Sequence, residues 1–173
     1  MGGQIRILCI THFIVNKNAL IAKIIEQLTA ELELFAKAAR SSHAEATHEQ
    51  SKAESKYDTR GLEASYLARG QSRQLAETEQ AIKQFEMLAL LEFGPNVPIQ
   101  LSALVELEGS GERAFYFMGP RAGGTEITHE EKEILVITPQ SPLGVQLMGR
   151  KQGDRLRMEI GGLMNEYRVA SVL

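Results

Sequence analysis

One cysteine, Cys9, is all that 173 residues provide, so no internal disulfide can hold the chain together. A packed core must do that, and a reducing compartment is the natural setting. Charge of one sign is also missing, since the formal net charge is only −3. Nothing in the whole-chain balance advertises nucleic acid or an anionic membrane as a partner, so any partner must be sought locally. Long hydrophobic runs are absent too. The nearest approach, RILCITHFIV at residues 6 to 15, is interrupted by Thr11 and His12 and has no small-x-small cleavage site. It is far too short to span a bilayer. We expect residues 1–16 to form an N-terminal extension or an extra strand, and the protein to be cytoplasmic.

Several catalytic signatures are missing as well. No G-x-S-x-G elbow appears, and GPRAGGTE at 119 to 126 lacks the Lys-Ser/Thr pair of a phosphate-binding loop. That stretch reads as a connection between strands. His43 and His48 are five residues apart, which does not stack them on one helical face. With no Cys or carboxylate set beside them, they do not make a zinc site. Large apolar side chains are scarce in SSHAEATHEQSKAESKYDTRG, residues 41 to 61, where Tyr57 stands alone. Its Ala, Glu, Gln and Lys favour helix, so its role has to come from its neighbours.

Upstream, Ile21, Ile25, Leu28, Leu32 and Phe35 are spaced alternately by four and three, and the register continues through Ala39, Ser42 and Ala46. This is a heptad seam that thins as it runs, with Asn16 or Asn18 as its N-cap. A second seam runs from Tyr57 and Gly61 through Ala64, Ala68, Gln71, Leu75, Thr78, Ile82 and Phe85 to Ala89. Its bulky residues lie at its C-terminal end. Two helices with bulk at the start of one and the finish of the other pair antiparallel, so the pattern specifies a helical hairpin over residues 17–93. A first helix reaching residue 50 would be on the order of 50 Å long and would project beyond any domain made by the rest of the chain. The sparse stretch is then its distal end, with a tip at about 48–60. Ion pairs of Glu45, Glu49, Glu54 and Asp58 with Lys52, Lys56 and Arg60 support it only weakly.

Gly94, Pro95 and Pro98 are expected to stop the second helix and extend a linker over 94–101. The period then changes to two. SALVELE (102 to 108) and AFYFM (114 to 118) flank the turn GSGE, KEILVIT (132 to 138) reads as a buried central strand, and RLRMEI (155 to 160) and NEYRVASVL (165 to 173) close the set. Five strands and one short helix predict a small antiparallel sheet domain over 102–173. In TPQSPLGVQLMGRKQGD, Ser141 is placed as N-cap, Pro142 at the first helical position, and Gly149 at the end. The fold class is therefore α+β: an antiparallel coiled-coil hairpin followed by a small antiparallel sheet domain.

This last segment carries a resemblance. ITPQSPLGVQLMGRKQGDRLRMEIGGLMNEYRVASV is similar to the C-terminal domain of the bacterial GreA/GreB transcription elongation factors, with Ser141, Pro142, Leu143, Gly144, Leu147, Met148, Gly153 and Asp154 at matching positions. Gln146 is bulkier than the residue usual there. The order of parts also matches over roughly residues 18 to 173: coiled coil, linker, FKBP-like sheet domain. The resemblance implies RNA polymerase as partner, with the head docking through the Ser141, Pro142, Leu143 and Gly144 segment at the rim of the secondary channel. The hairpin would enter that channel, contact nascent RNA indirectly, and present two tip carboxylates to a magnesium ion at the polymerase active centre. No intrinsic cofactor, no membrane and no activity as an isolated enzyme are implied, and a monomer is expected.

The family's tip, D-L-x-E-N-x-E-Y, does not occur in this chain. Placing Tyr57 on the family tyrosine leaves Gln50 and Ala53 at the two acids, with Glu49 and Glu54 each one residue away. Matching SYLARGQ (65 to 71) to the following helix instead brings Asp58 near the first acid and leaves Gly61 or Leu62 opposite the second. The tip candidates are thus Glu49, Glu54, Tyr57, Asp58 and Arg60, with Glu54 and Asp58 as candidate magnesium ligands inside the polymerase complex. The FKBP-like topology also raises a prolyl isomerase, but the head offers only Phe115, Tyr116, Phe117 and Tyr167 as aromatics and no tryptophan. Core packing accounts for these. A further alternative is an adaptor that uses the hairpin as a coiled-coil ligand for another protein.

Overall fold

The computed structural model describes residues 16–47, 60–109, 111–160 and 163–173. Asn16 opens the first helix: its Oδ1 accepts from the Ala19 amide at 3.1 Å and its carbonyl from the Leu20 amide at 3.0 Å. Of the two asparagines that could cap, Asn16 does so. Helix α1 then runs Lys17–Thr47 and helix α2 runs Arg60–Glu86. The start of α1 and the end of α2 share one core, in which Leu20, Ile21, Ile24 and Leu28 meet Ala81 and Phe85. The two helices are therefore antiparallel, as the opposed seams require.

Leu20 and Ile24 lie off the expected seam yet are wholly buried. Their burial shows that the base of α1 has two neighbours. One is α2; the other is the sheet, whose Leu104, Phe117, Ile127, Ile134 and Val136 complete the same core. Beyond Leu28, from Thr29 to Ser41, no side chain of α1 is buried, and on α2 none is buried from Gln71 to Glu77. The 31 residues of α1 span about 46 Å. The described stretch from Thr29 to Ser41, about 20 Å of it, carries no core.

Helix α2 ends at Glu86, earlier than the Ala89 of the seam and well before the Gly94–Pro95 stop. The Leu88 amide closes a tight turn on the Phe85 carbonyl at 3.2 Å, and the chain goes on extended. Leu88 and Leu90 are half-buried against the hairpin core while Ala89 and Leu91 are exposed, a period of two. The apolar run LALL serves as an extended strap because alternate residues reach the core.

The head is a six-stranded sheet in the order β3-β4-β2-β1-β6-β5, with β1 Leu104–Gly109, β2 Glu112–Met118, β3 Glu126–His129, β4 Lys132–Ile137, β5 Arg155–Ile160 and β6 Leu163–Val172. Five strands were expected. The sixth, β3, follows the 119–125 connection directly and pairs with β4 through a two-residue turn at Glu130 and Glu131. Because β3 supplies that extra reversal, β4 lies parallel to β2, from Phe115↔Ile134 to Met118↔Ile137. The other pairings are antiparallel, so the sheet is mostly antiparallel with one parallel seam.

The two faces of this sheet feed different cores. Val105, Leu107, Met118, Ile137, Leu156, Val169 and Val172 pack with Ile99 and Leu147 on the side of helix α3, Pro142–Leu147. Tyr167 and Val169 share this side, as the alternation in β6 requires. The opposite face packs on the hairpin over β3, β4, β2 and the start of β1. Farther across it becomes a lattice of ion pairs, Arg113–Glu106 at 2.8 Å, Arg168–Glu108 at 2.6 Å and Arg155–Glu166 at 3.0 Å. The switch from apolar to charged marks the edge of the hairpin's footprint.

Candidate functional site

The described structure bears on one of the two regions singled out in the sequence. Glu49, Glu54, Tyr57 and Asp58 lie outside the described residues, and Arg60 opens α2 with its side chain also outside them. Around Ser141–Gly144 the geometry is complete. The Ser141 hydroxyl accepts from the Gly144 amide at 3.0 Å and donates to the Thr138 carbonyl at 2.8 Å, so it caps α3 and ties it to the end of β4. Pro142 occupies the first turn, where a missing N–H costs nothing.

Gly144 is required by packing. A Cβ built there would sit 1.8 Å from the Thr138 carbonyl oxygen, a distance no side chain can occupy. Helix α3 is thus pressed against the exit of β4 without an intervening side chain. It is fastened at its other end as well: the Gly149 amide donates to the Ile99 carbonyl at 2.9 Å, and the Ile99 amide to the Arg150 carbonyl at 2.7 Å. The Arg150 guanidinium reaches the carbonyls of Gln146 and Arg155. Ser141 and Gly144 therefore build the segment, and its exposed faces lie elsewhere.

Those faces add Val145, which the sequence did not single out, to Pro142, Leu143 and Met148, which it did. Val145 is 64% exposed and Met148 38%, giving α3 an apolar outer edge. Beside it a cleft of about 780 Å³ is lined by Tyr116, Leu135, Ile137, Leu143, Gln146 and Met158. Burial raises the pKa of Tyr116, and the neighbouring Tyr167 adds to the effect. Val145 and Met148 thus form a small exposed apolar surface beside a cleft that Pro142 and Leu143 line. The signal for it was present in the sequence, as apolar residues on the outward side of a short helix whose inward side is Gly144 and Leu147.

A second concavity, of about 770 Å³, separates the hairpin from the head. Leu28, Glu31, Phe35, Gln74 and Thr78 line one wall, and Arg121, Gly123, Thr125 and Gln140 the other. Below this groove the hairpin is seated. The Phe85 ring stacks on Phe117 at 6.5 Å between centroids and 28° between planes, and Gly119 leaves room for it. A Cβ at Gly119 would lie 2.9 Å from both Phe85 Cζ and Val136 Cγ1. Neither feature is legible from periodicity along one element, because each depends on a contact between elements far apart in sequence.

Among the described residues no helix is long and apolar enough to cross a membrane, and no cluster of three His, Cys, Asp or Glu side chains could hold a metal ion. No family model matches the chain, and no curated protein matches it. Solved structures do. The chain is similar to a structure of the transcription factor Gfh1, at 25% identity over 86% of this chain and 92% of that one, with a TM-score of 0.38. It is similar to GreA factor homolog 1 of Thermus thermophilus at 26% identity, over 86% and 94% of the two chains, with a TM-score of 0.37. A GreA/GreB elongation factor from Nitrosomonas europaea matches at 19% identity over 55% of this chain and 78% of that one, with a TM-score of 0.34.

Proposed function

We propose that this chain is a transcription elongation regulator that binds RNA polymerase, docking through the α3 side of its head and extending the hairpin into the secondary channel. One observation carries this reading: the hairpin is seated in the head's own core at Leu20, Ile24 and Phe85, yet no described side chain is buried from Thr29 to Ser41. An arm ordered at the expense of chain entropy, without core along its length, is suited to reaching something. The resemblance of the Ser141–Asp154 segment to elongation factors supports polymerase as the thing reached. Pro142, Leu143, Val145 and Met148 supply the docking surface, and Ser141 and Gly144 hold it in shape.

At the far end, Glu49, Glu54 and Asp58 are the acids available to share a magnesium ion with the polymerase. Magnesium prefers hard oxygen ligands and keeps its waters, so a tip carboxylate can help place a hydrolytic water at phosphorus. The chain itself would supply ligands and no active site of its own. Gln50 and Ala53 stand where one alignment puts the family's acids, which favours a second form of the reading, occupancy of the channel without cleavage. A backtracked elongation complex incubated with the protein and magnesium separates the two by the presence or absence of short 3′ RNA products. Failure to bind core polymerase would remove both and leave the adaptor reading. Turnover in a proline-peptide isomerisation assay would point to the cleft beside α3 instead.

A further inference from the structure

The apolar seat of the hairpin is non-directional: burial of Leu20, Ile24 and Phe85 is favourable over a range of tilts. Close packing of Phe85 on Phe117 and Gly119 limits the tilt at the seat, but the groove between Leu28, Glu31 and Phe35 on one side and Arg121 and Thr125 on the other is open and leaves rocking toward it free. Directional contacts must check that motion. Two side chains of α1 provide them. The Lys17 ammonium donates to the Leu91 carbonyl at 2.5 Å, lies 3.4 Å from the Ser102 carbonyl and sits 4.6 Å from the centre of the Phe93 ring. The Lys23 ammonium donates to the Thr128 carbonyl at 2.9 Å.

We propose that Lys17 and Lys23 are the positioning residues that set the direction in which the hairpin leaves the head. At 100° per residue, Leu20 lies midway between them on the helical wheel, so the two ammonium groups flank the buried row. Their acceptors lie apart on the head. Thr128 is on edge strand β3 and Ser102 precedes β1, which are three strand spacings apart in the sheet order, or roughly 14 Å. Two anchors that far apart resist rocking in the direction the open groove permits.

The placement of Lys17 is otherwise unfavourable. It stands in the first turn of α1, where the helix dipole disfavours a cation, and no acid accompanies it there. Its acceptors are themselves held: the Leu91 amide donates to Ser102 Oγ at 3.0 Å, and buried Ser102 adopts a left-handed backbone at φ 70° with its amide on the Met118 carbonyl. The strap, the first strand and the first helix thus converge on one ammonium group. From Ile24 to Thr47 the lever is about 35 Å, so a 10° tilt at the base moves its far end by about 6 Å.

The test uses the full chain alone and needs no polymerase, so its outcome is independent of the proposed function. With Cys9→Ser, spin labels at Ser41 on α1 and Gln152 on the head report the distance between arm and head. Lys17→Met and Lys23→Met keep the apolar stems and remove the ammonium donors; Lys37→Met, in the exposed part of the arm, is the control. Each of the first two, and the double variant more strongly, is expected to broaden the distance distribution by about 5 Å, the displacement of a tilt near 10°. Lys37→Met should leave it unchanged. A double variant with native helix content and the parent distribution overturns the proposal. If Lys17→Met fails to fold, the exposed Lys23→Met alone decides: broadening supports the proposal and an unchanged distribution overturns it.

Discussion

Replacing Phe85 by alanine separates the two cores of this protein. The ring is 1% exposed and belongs to the core that joins α1, α2 and one face of the sheet, while the α3 side of the same sheet is packed by a different set. Truncating a buried Phe costs about 3–5 kcal/mol through lost transfer energy and the cavity left behind. Collapse of that cavity is limited here, because Phe117 and Val136 belong to paired strands and Gly119, just past β2, is held by its amide on the Ile137 carbonyl. At 1.36 kcal/mol per tenfold, amides of α1 between Ile24 and Leu28 should exchange with deuterium roughly 10² to 5 × 10³ times faster in Phe85→Ala. Amides of β5 and β6, which pair with each other away from the hairpin's footprint, should keep most of their protection. Leu156→Ala, in the α3-side core, should give the reverse pattern. Equal loss of protection in α1 and in β5–β6 for Phe85→Ala would refute the separation of the cores, and an unaffected α1 would refute the role given to the ring.

The β3–β4 turn places Glu130 and Glu131 at φ 49° and 62°, positions that Asn and Gly occupy with less strain. Glu130→Asn with Glu131→Gly should stabilise the protein by about 1–2 kcal/mol, raising Tm in calorimetry; no increase would mean the turn is not under strain. Gly144→Ala forces a side chain onto the Thr138 carbonyl and should lose roughly 3 kcal/mol or more; under the proposed function, binding to core polymerase should be lost with it even where the hairpin stays helical by circular dichroism. Lys17 has its pKa lowered, chiefly by burial and partly restored by Glu92. The unfolded chain therefore binds more protons there just below the ordinary lysine value, and this residue's contribution should make stability rise with pH in that alkaline window. Urea melts of the parent and Lys17→Met, compared from neutral to alkaline pH, check the sign; a parent that loses ground to the variant as pH rises contradicts it.

Opposed gradients of side-chain size were enough to place the hairpin in the sequence, since bulk at Ile21–Leu28 and at Thr78–Phe85 can be buried together only in antiparallel order. The segment Ser141–Gly149 was equally legible, because capping by Ser141 and the proline after it are local chemistry. What escaped were contacts between distant elements. Leu20 and Ile24 gave no clue that the helix base meets a sheet as well as a helix, and the strap at Leu88–Phe93 looked helical because LALL fits either period. Strand β3 was hidden by its length, Glu126–His129, which is too short for alternation to stand out. The candidate docking surface fell between these cases: its frame could be read, while Val145, Met148 and the cleft beside them needed the helix to be oriented.

The shared core at the hairpin's base also determines how this protein can be taken apart. A cut near residue 94 would divide Leu20, Ile24 and Phe85 from Phe117, Ile134 and Val136, leaving each fragment with an uncovered apolar face. Such fragments would associate with themselves or with one another rather than behave as free modules. Exchanging arms between proteins of this architecture therefore means exchanging the sheet face beneath the arm along with it, and the natural unit of inheritance is the joint.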